Sequence, residues 1–166
     1  MRLANVCCMV FAIAALTSVT LRAQDPDERP RILPAFGLHL LNVDIAAVNA
    51  GLAYRPFAAD YPFWTATLEL EGGVAGGGAL LGFGRTWPPG TDWGGPGSEL
   101  SVRLQTSFLR TWGDPFHVGP RQSFVGLGVQ VKLTIIGVRA SILRRVAGSA
   151  PGDGSVFSAG LVLGWP

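Results

Sequence analysis

The sequence contains few charged residues and almost no lysine. Asp, Glu, Lys and Arg together make up 14% of the 166 residues, and Lys132 is the single lysine, whereas soluble domains carry about 25% charged residues. A surface that faces water needs more long polar side chains than this chain supplies. The shortage therefore disfavours a secreted soluble β protein, although such proteins also alternate apolar and polar residues along their strands.

Cysteine is confined to the start of the chain. Cys7 and Cys8 lie within an apolar run over residues 3–16, and this run predicts a signal peptide over residues 1–23. A membrane anchor is the alternative, but the run is shorter than the roughly 20 residues of a spanning helix. Removal of the signal would leave no cysteine, which excludes a disulfide, a cysteine metal site and a cysteine nucleophile.

Long apolar runs and net charge are both absent after residue 23. Without Arg2 and Arg22, 11 of the 13 basic residues are left against 11 acidic ones, so no nucleic-acid partner is predicted. A chain without a spanning helix can cross a membrane only as a closed barrel, because lipid cannot satisfy the edge of an open sheet. We expect a short periplasmic lead-in over 24–31 and a barrel over 32–166.

Alternation of apolar with small or polar residues predicts eight β-strands. The alternation is clearest in the last segment, where one face carries large apolar residues and the other carries small residues. Such a strand suits a barrel with lipid outside and a narrow lumen inside. Turns rich in glycine and proline separate the segments, among them Gly76-Gly77-Gly78. The predicted strands cover residues 33–41, 46–55, 63–74, 79–87, 99–112, 123–133, 136–145 and 155–165.

Aromatic residues are concentrated at the two ends of the predicted strands. An even number of strands places both termini on the periplasmic side. Two groups of aromatics then lie near the two membrane interfaces, where amphipathic rings are favoured. The periplasmic group comprises Tyr54, Phe57, Tyr61, Phe63, Trp64, Trp87, Trp93 and Trp165, and the outer group comprises Trp112, Phe116, Phe124 and Phe157.

These features resemble the small eight-stranded outer-membrane barrels, such as the OmpA transmembrane domain and OmpX-like proteins. The resemblance covers residues 32–165. It implies an antiparallel up-and-down transmembrane barrel in the outer membrane of a diderm bacterium, monomeric and in contact with membrane lipid or lipopolysaccharide. It also implies recognition by the barrel-insertion machinery, although Pro166 follows the aromatic on which such chains usually end. The assembly signal would be formed by Phe157, Ala159, Leu161, Leu163 and Trp165.

Five charged residues fall on the inward side of their predicted strands. A charge in a narrow interior costs several kcal/mol unless it is paired, so we expect an ionic network that plugs the lumen. A gated polar pore is the alternative, although eight strands leave little room for an open channel. The five residues are Glu69, Glu71, Arg103, Lys132 and Arg139.

Arginines also cluster at the outer ends of two predicted strands. Arg110 and Arg144 end their strands, and Arg121 and Arg145 lie nearby. Because the guanidinium fork matches phosphate geometry, we expect Arg110, Arg144 and Arg145 to contact lipid phosphates. Simple solvation of the strand ends is the alternative.

Residues suited to catalysis or metal binding are sparse. His39 faces the predicted lumen, and His117 lies in a loop without a nucleophile motif near it. Two distant histidines make a poor metal site. We therefore expect no cofactor, no metal and no enzymatic activity, but a structural or surface-interaction role in the envelope. The alternatives are a lipid A-modifying barrel enzyme and a secreted soluble barrel that binds an apolar ligand.

Overall fold

The chain folds as a closed, antiparallel, eight-stranded β-barrel. The computed structural model describes residues 32–42, 46–55, 62–87, 99–114, 118–148 and 154–165. Each strand pairs with its neighbours in sequence, and the last strand pairs with the first. This confirms the predicted all-β up-and-down barrel. The strands are β1 (Ile32–Leu41), β2 (Ala47–Tyr54), β3 (Phe63–Gly73), β4 (Gly76–Trp87), β5 (Leu100–Thr111), β6 (Ser123–Leu133), β7 (Ile136–Ala147) and β8 (Ser155–Trp165).

The predicted signal peptide and lead-in, residues 1–31, lie outside the described residues. In the described part of the chain, no helix is long and apolar enough to cross a membrane. We call the end of the barrel where β1 begins and β8 ends the terminal end, and the opposite end the distal end.

The predicted bounds of β4 are wrong at its start. Gly76, Gly77 and Gly78 do not form a turn but are the first residues of the strand, paired with consecutive residues of β5. Glycine has no side chain with which to show alternation, so its turn preference dominated the prediction. The turn between β3 and β4 is shorter than predicted and consists of Val74 and Ala75.

The barrel wall separates an apolar exterior from a largely polar interior. Among the described residues, 29 large hydrophobic side chains are exposed, and Leu104 and Leu127 are exposed to 69% and 70%. Of the side chains that are buried, 18 are polar or charged and only 11 are hydrophobic. This distribution is the reverse of that in a water-soluble domain, where apolar residues fill the interior.

Apolar side chains close the lumen near the distal end. Leu109, Phe124 and Leu143 form a buried cluster against which Val118 and Val156 pack. The prediction that Phe124 belongs to the outer aromatic group is therefore wrong. Phe124 shares the inward phase of Gly126, and the register shift between Ser123 and Phe124 leaves Ser123 buried as well.

Exposed aromatic side chains lie at both ends of the barrel, but one predicted member of the periplasmic group, Phe63, faces the lumen and is 4% exposed. The described residues do not include Phe57, Tyr61 and Trp93 of the same group, or Phe116 of the outer group. The exposed aromatics are Phe36, Tyr54, Trp64, Phe83 and Trp165 towards the terminal end, and Phe108, Trp112 and Phe157 towards the distal end.

The closing seam between β1 and β8 is short. It contains six register pairs, from Phe36 with Trp165 to Leu41 with Gly160, whereas β4 and β5 form twelve. Beside the seam, the two-residue turn between β6 and β7 holds Thr134 at a φ of 55°. The Thr134 N–H donates to the Glu99 carbonyl oxygen at 2.7 Å, and the Gly164 N–H donates to the Ile135 carbonyl oxygen at 2.8 Å.

Candidate functional site

The most highly charged region of the barrel is the middle of its lumen. Glu69 and Glu71 are two positions apart on β3, so both side chains point inward. Arg103 on β5 and Arg139 on β7 point inward from strands further round the barrel. All four residues are buried, with exposed fractions of 3% to 8%. The sheet therefore brings two carboxylates and two guanidinium groups together in a space closed to solvent.

The first half of this lumenal network is built on Glu69. Its Oε1 accepts a hydrogen bond from Arg103 Nη1 at 2.9 Å, which is also a buried ion pair. Its Oε2 accepts a hydrogen bond from Asn49 Nδ2 on β2. Both oxygens of the carboxylate thus have a donor, which is what a buried charge requires.

The second half is built on Glu71. Its Oε2 accepts a hydrogen bond from Arg139 Nη1 at 3.1 Å and contacts Nδ1 of His39 on β1. Arg139 Nη1 lies 3.4 Å from the same His39 nitrogen. His39, 1% exposed, is therefore held inside the barrel between a carboxylate and a guanidinium group.

Lys132 is the predicted network member whose bond is to the backbone. Its Nζ donates to the carbonyl oxygen of Gly164 at 3.1 Å, while the Glu69 carboxylate pairs with Arg103. Lys132 therefore links β6 to the last strand. This contact could not be inferred from charge pairing because it uses a main-chain acceptor.

Several further polar side chains complete the interior, and their place in the network was not predicted from the sequence. Gln105 Nε2 donates to Gln130 Oε1 at 2.9 Å, and Asn49 and His39 bind the two carboxylates. The sequence feature that could have predicted these partners is their inward phase on the strands of the barrel. The predicted network considered only residues with a formal charge and so missed these partners.

The lumen is filled rather than open in the part of the chain that the structure describes. A cavity with room for about one water molecule lies among Asn49, Arg103, Gln130 and Lys132. A Cβ atom on Gly82 would lie 2.6 Å from both Arg103 Cδ and Thr67 Oγ1, so the wall itself is in contact with the network. This geometry suits a plug better than a conduit.

No set of three or more His, Cys, Asp or Glu side chains in the described ranges is placed to hold a metal ion. His117, the histidine considered for catalysis, lies outside those ranges. Among the described lumenal residues, the two glutamates pair with the two arginines, and Lys132 donates to a backbone carbonyl oxygen.

The distal arginines lie in two different environments. Arg110 and Arg144 are exposed on the outside of β5 and β7, and Arg110 Nη1 donates to Ser123 Oγ at 2.8 Å. Arg145 is half-buried and stands opposite Phe124 on the inward phase of β7. The lipid-phosphate interpretation therefore does not extend to Arg145, because β7 continues to Ala147 and its alternation turns this side chain inward.

The residues of the predicted assembly signal share the outward face of β8. Their partners across the closing seam include Phe36 and Leu38 of β1. The exposed fractions are 60% for Phe157, 52% for Leu161, 38% for Leu163 and 51% for Trp165, and Ala159 is partly exposed between them.

Comparisons of this chain with protein-family models, with curated proteins and with solved structures found no match.

Proposed function

We propose that this chain is an integral outer-membrane β-barrel protein of a diderm bacterium, and that its role is structural or one of surface interaction. The observation that carries the proposal is the inverted distribution of side chains, apolar outside and polar inside. Monomeric proteins in water rarely expose contiguous apolar patches larger than a few hundred Å². An apolar band around a closed barrel is what a lipid bilayer requires.

The lumenal network supports a plugged barrel rather than a channel or an enzyme. Its two ion pairs, Glu69–Arg103 and Glu71–Arg139, cross between non-adjacent strands and so brace the barrel from inside. The apolar cluster around Phe124 lies beyond them towards the distal end. Such an interior fixes the shape of the wall, which leaves the ends and the outer surface for interaction.

The exposed distal arginines support lipopolysaccharide as the surface contact. If the termini are periplasmic, Arg110 and Arg144 lie on the outer side of the membrane, where lipid phosphates are dense. Alanine at both positions is expected to lower the amount of lipopolysaccharide that co-purifies with the barrel. Co-purification unaffected by the double substitution, measured against unmodified protein at the same detergent concentration, would contradict this contact.

The membrane proposal is tested by placing arginine at two depths on the outer surface. Leu104 lies near the middle of β5 and is 69% exposed, and Ile136 lies at the terminal end of β7 and is 57% exposed. Leu104→Arg is expected to cost ~2–4 kcal/mol of folding free energy in lipid vesicles, and Ile136→Arg only ~0–1 kcal/mol. Urea unfolding of the vesicle-inserted protein measures both values.

The two sites form a matched pair, because each replaces an exposed apolar residue by arginine. In a soluble barrel both changes would meet water, and neither would shift stability by more than roughly 0.5 kcal/mol. Equal and small effects at the two depths, with protein that stays soluble without detergent and shows no heat-dependent gel mobility, would overturn the proposal.

A further inference from the structure

An arginine lies among aromatic rings on the outer surface near the terminal end. Arg85 of β4 is paired in register with Trp64 of β3. Its guanidinium carbon is 5.6 Å from the ring centroid of Trp64 and 5.6 Å from that of Trp87. Trp64 in turn stacks on Phe83, with ring centroids 5.0 Å apart and an angle of 9° between the planes. The guanidinium group is thus held by two indole rings.

Among the described residues, no carboxylate forms an ion pair with Arg85, whereas the buried arginines Arg103 and Arg139 each pair with a glutamate in the lumen. Its Nε is covered and has no hydrogen-bond partner, while the side chain as a whole is half-buried. Cation–π contacts hold an arginine in place without using its hydrogen-bond donors. A guanidinium group fixed in this way is well prepared to bind a planar or tetrahedral oxyanion.

The position of Arg85 on the barrel limits the chemical class of the ligand. It lies two residues from the end of β4, on the same outward phase as Phe83, which is exposed. Apolar side chains continue from this point towards the middle of the barrel, and Leu81 is the next outward residue of the strand, 60% exposed. A ligand that combines a phosphate with an acyl chain would therefore meet the guanidinium group with its head and the apolar wall with its tail.

We propose that Trp64, Arg85 and Trp87 form a binding site for the phosphate of a phospholipid headgroup in the membrane leaflet at the terminal end. The inference rests on the proposed function, because it requires that this surface face lipid. The site would anchor one lipid at a fixed point on the barrel wall. It lies at the end opposite to Arg110 and Arg144 and involves none of their residues.

The test uses the full chain folded in detergent micelles, with lipid added at a fixed mole fraction. Phosphatidylglycerol is compared with diacylglycerol, which has the same tails and no phosphate, and binding is followed by thermal unfolding and native mass spectrometry. Arg85→Gln is expected to weaken phosphatidylglycerol binding roughly tenfold or more, because charge-assisted hydrogen bonds are lost. Binding of diacylglycerol is expected to be unchanged.

Arg55→Gln is the matched control. Arg55 follows β2 at the same end of the barrel and stacks on Phe63, with its guanidinium carbon 3.8 Å from the ring centroid, but Phe63 faces the lumen. The same loss of charge there should leave the preference for phosphatidylglycerol intact. Equal losses in both variants would overturn the site, since they would reflect net charge alone.

Two further results would overturn the proposal. If inorganic phosphate stabilised the unmodified protein against thermal unfolding as strongly as phosphatidylglycerol does, the site would be one for the free anion. No loss of phosphatidylglycerol preference in Arg85→Gln would show that the aromatic residues bind lipid without the arginine. Either result leaves the membrane proposal standing if Leu104→Arg still destabilises the barrel more than Ile136→Arg, so the two failures are distinguishable.

Discussion

Each carboxylate of the lumenal network binds more than one partner, so the loss of one side chain leaves others with unmet charge or hydrogen bonds. Glu69 accepts hydrogen bonds from both Arg103 and Asn49. Charge and inward phase were enough to predict from the sequence that Glu69 and Arg103 lie in the lumen. The identity of the pairs was not predictable, because it depends on the register and tilt of strands that are not neighbours.

Removal of the Glu69 carboxylate should therefore strongly destabilise the barrel. Glu69→Ala leaves Arg103 buried without its counter-ion, and we expect a loss of about 3–5 kcal/mol in the free energy of unfolding. Urea titration of protein refolded in detergent measures it. The double variant Glu69→Ala/Arg103→Ala should lose less than the sum of the two single variants, because it leaves no unpaired charge.

Thr106→Ala, an exposed position on the outside of β5, is the control for this series, with an expected change within about 0.5 kcal/mol. Strict additivity of the Glu69 and Arg103 substitutions would mean that the two side chains do not interact.

At the scale of the element, alternation predicted most strands because each inward residue has an outward neighbour of different polarity. The start of β4 was missed where three consecutive glycines give no such contrast. Phe124 was assigned to the exterior from its aromatic character and its place near the strand end, although alternation with Gly126 and Gly128 gives it the inward phase. The short turn between β6 and β7 was predicted near Thr134, but its left-handed backbone was not.

That turn provides a prediction about backbone strain. A β-branched residue at a φ of 55° is in a conformation that costs roughly 1–2 kcal/mol for residues other than glycine. Thr134→Gly keeps the N–H that bonds to Glu99 and should stabilise the barrel by about 0.5–1 kcal/mol, after allowance for the greater entropy of unfolded glycine. Urea titration of Thr134→Gly and of the unmodified protein measures the difference in their free energies of unfolding.

Ile135→Gly provides the control in the same turn. Ile135 is not among the described residues with a positive φ, so glycine there relieves no strain, adds the entropic cost and removes a partly covered side chain, and should destabilise. A loss of stability in Thr134→Gly equal to that in Ile135→Gly would contradict the strain assigned to this turn.

The closing seam has no room for an added side-chain atom at Gly164. A Cβ on Gly164 would lie 2.4 Å from the Phe36 carbonyl oxygen and 2.7 Å from Gly37 Cα, and backbone atoms cannot move away as a side chain would. Gly164→Ala should cost about 1–3 kcal/mol and reduce the fraction of protein that reaches the heat-modifiable form on a gel.

Gly72 provides the matched control for the seam. A Cβ at this position meets nothing within 4 Å, so Gly72→Ala should fold as the unmodified chain does. Equal folding yields for Gly164→Ala and Gly72→Ala would show that the seam tolerates a wider separation of β1 and β8.

For the whole molecule, the filled interior predicts that the barrel does not conduct ions. The ion pairs occupy the middle of the lumen and the cluster of Leu109, Phe124 and Leu143 lies beyond them. We expect no steady current when the purified protein is inserted into planar lipid bilayers. Phe124→Ala removes only the apolar layer and should also stay closed, whereas long-lived open currents from the unmodified protein would contradict a plug.

The pairing of β1 with β8 means that the barrel can close only after the last strand has been synthesised. These strands are the first and last of the barrel, so the free edge of β1 cannot meet its native partner until the segment ending at Trp165 has been synthesised. Folding slows as contacts become more distant in sequence, and an unpaired strand edge is prone to pair with other chains. Until β8 is complete, the unpaired edge of β1 must therefore be kept from pairing with other copies of the chain. Completion of β8 then allows the barrel to close.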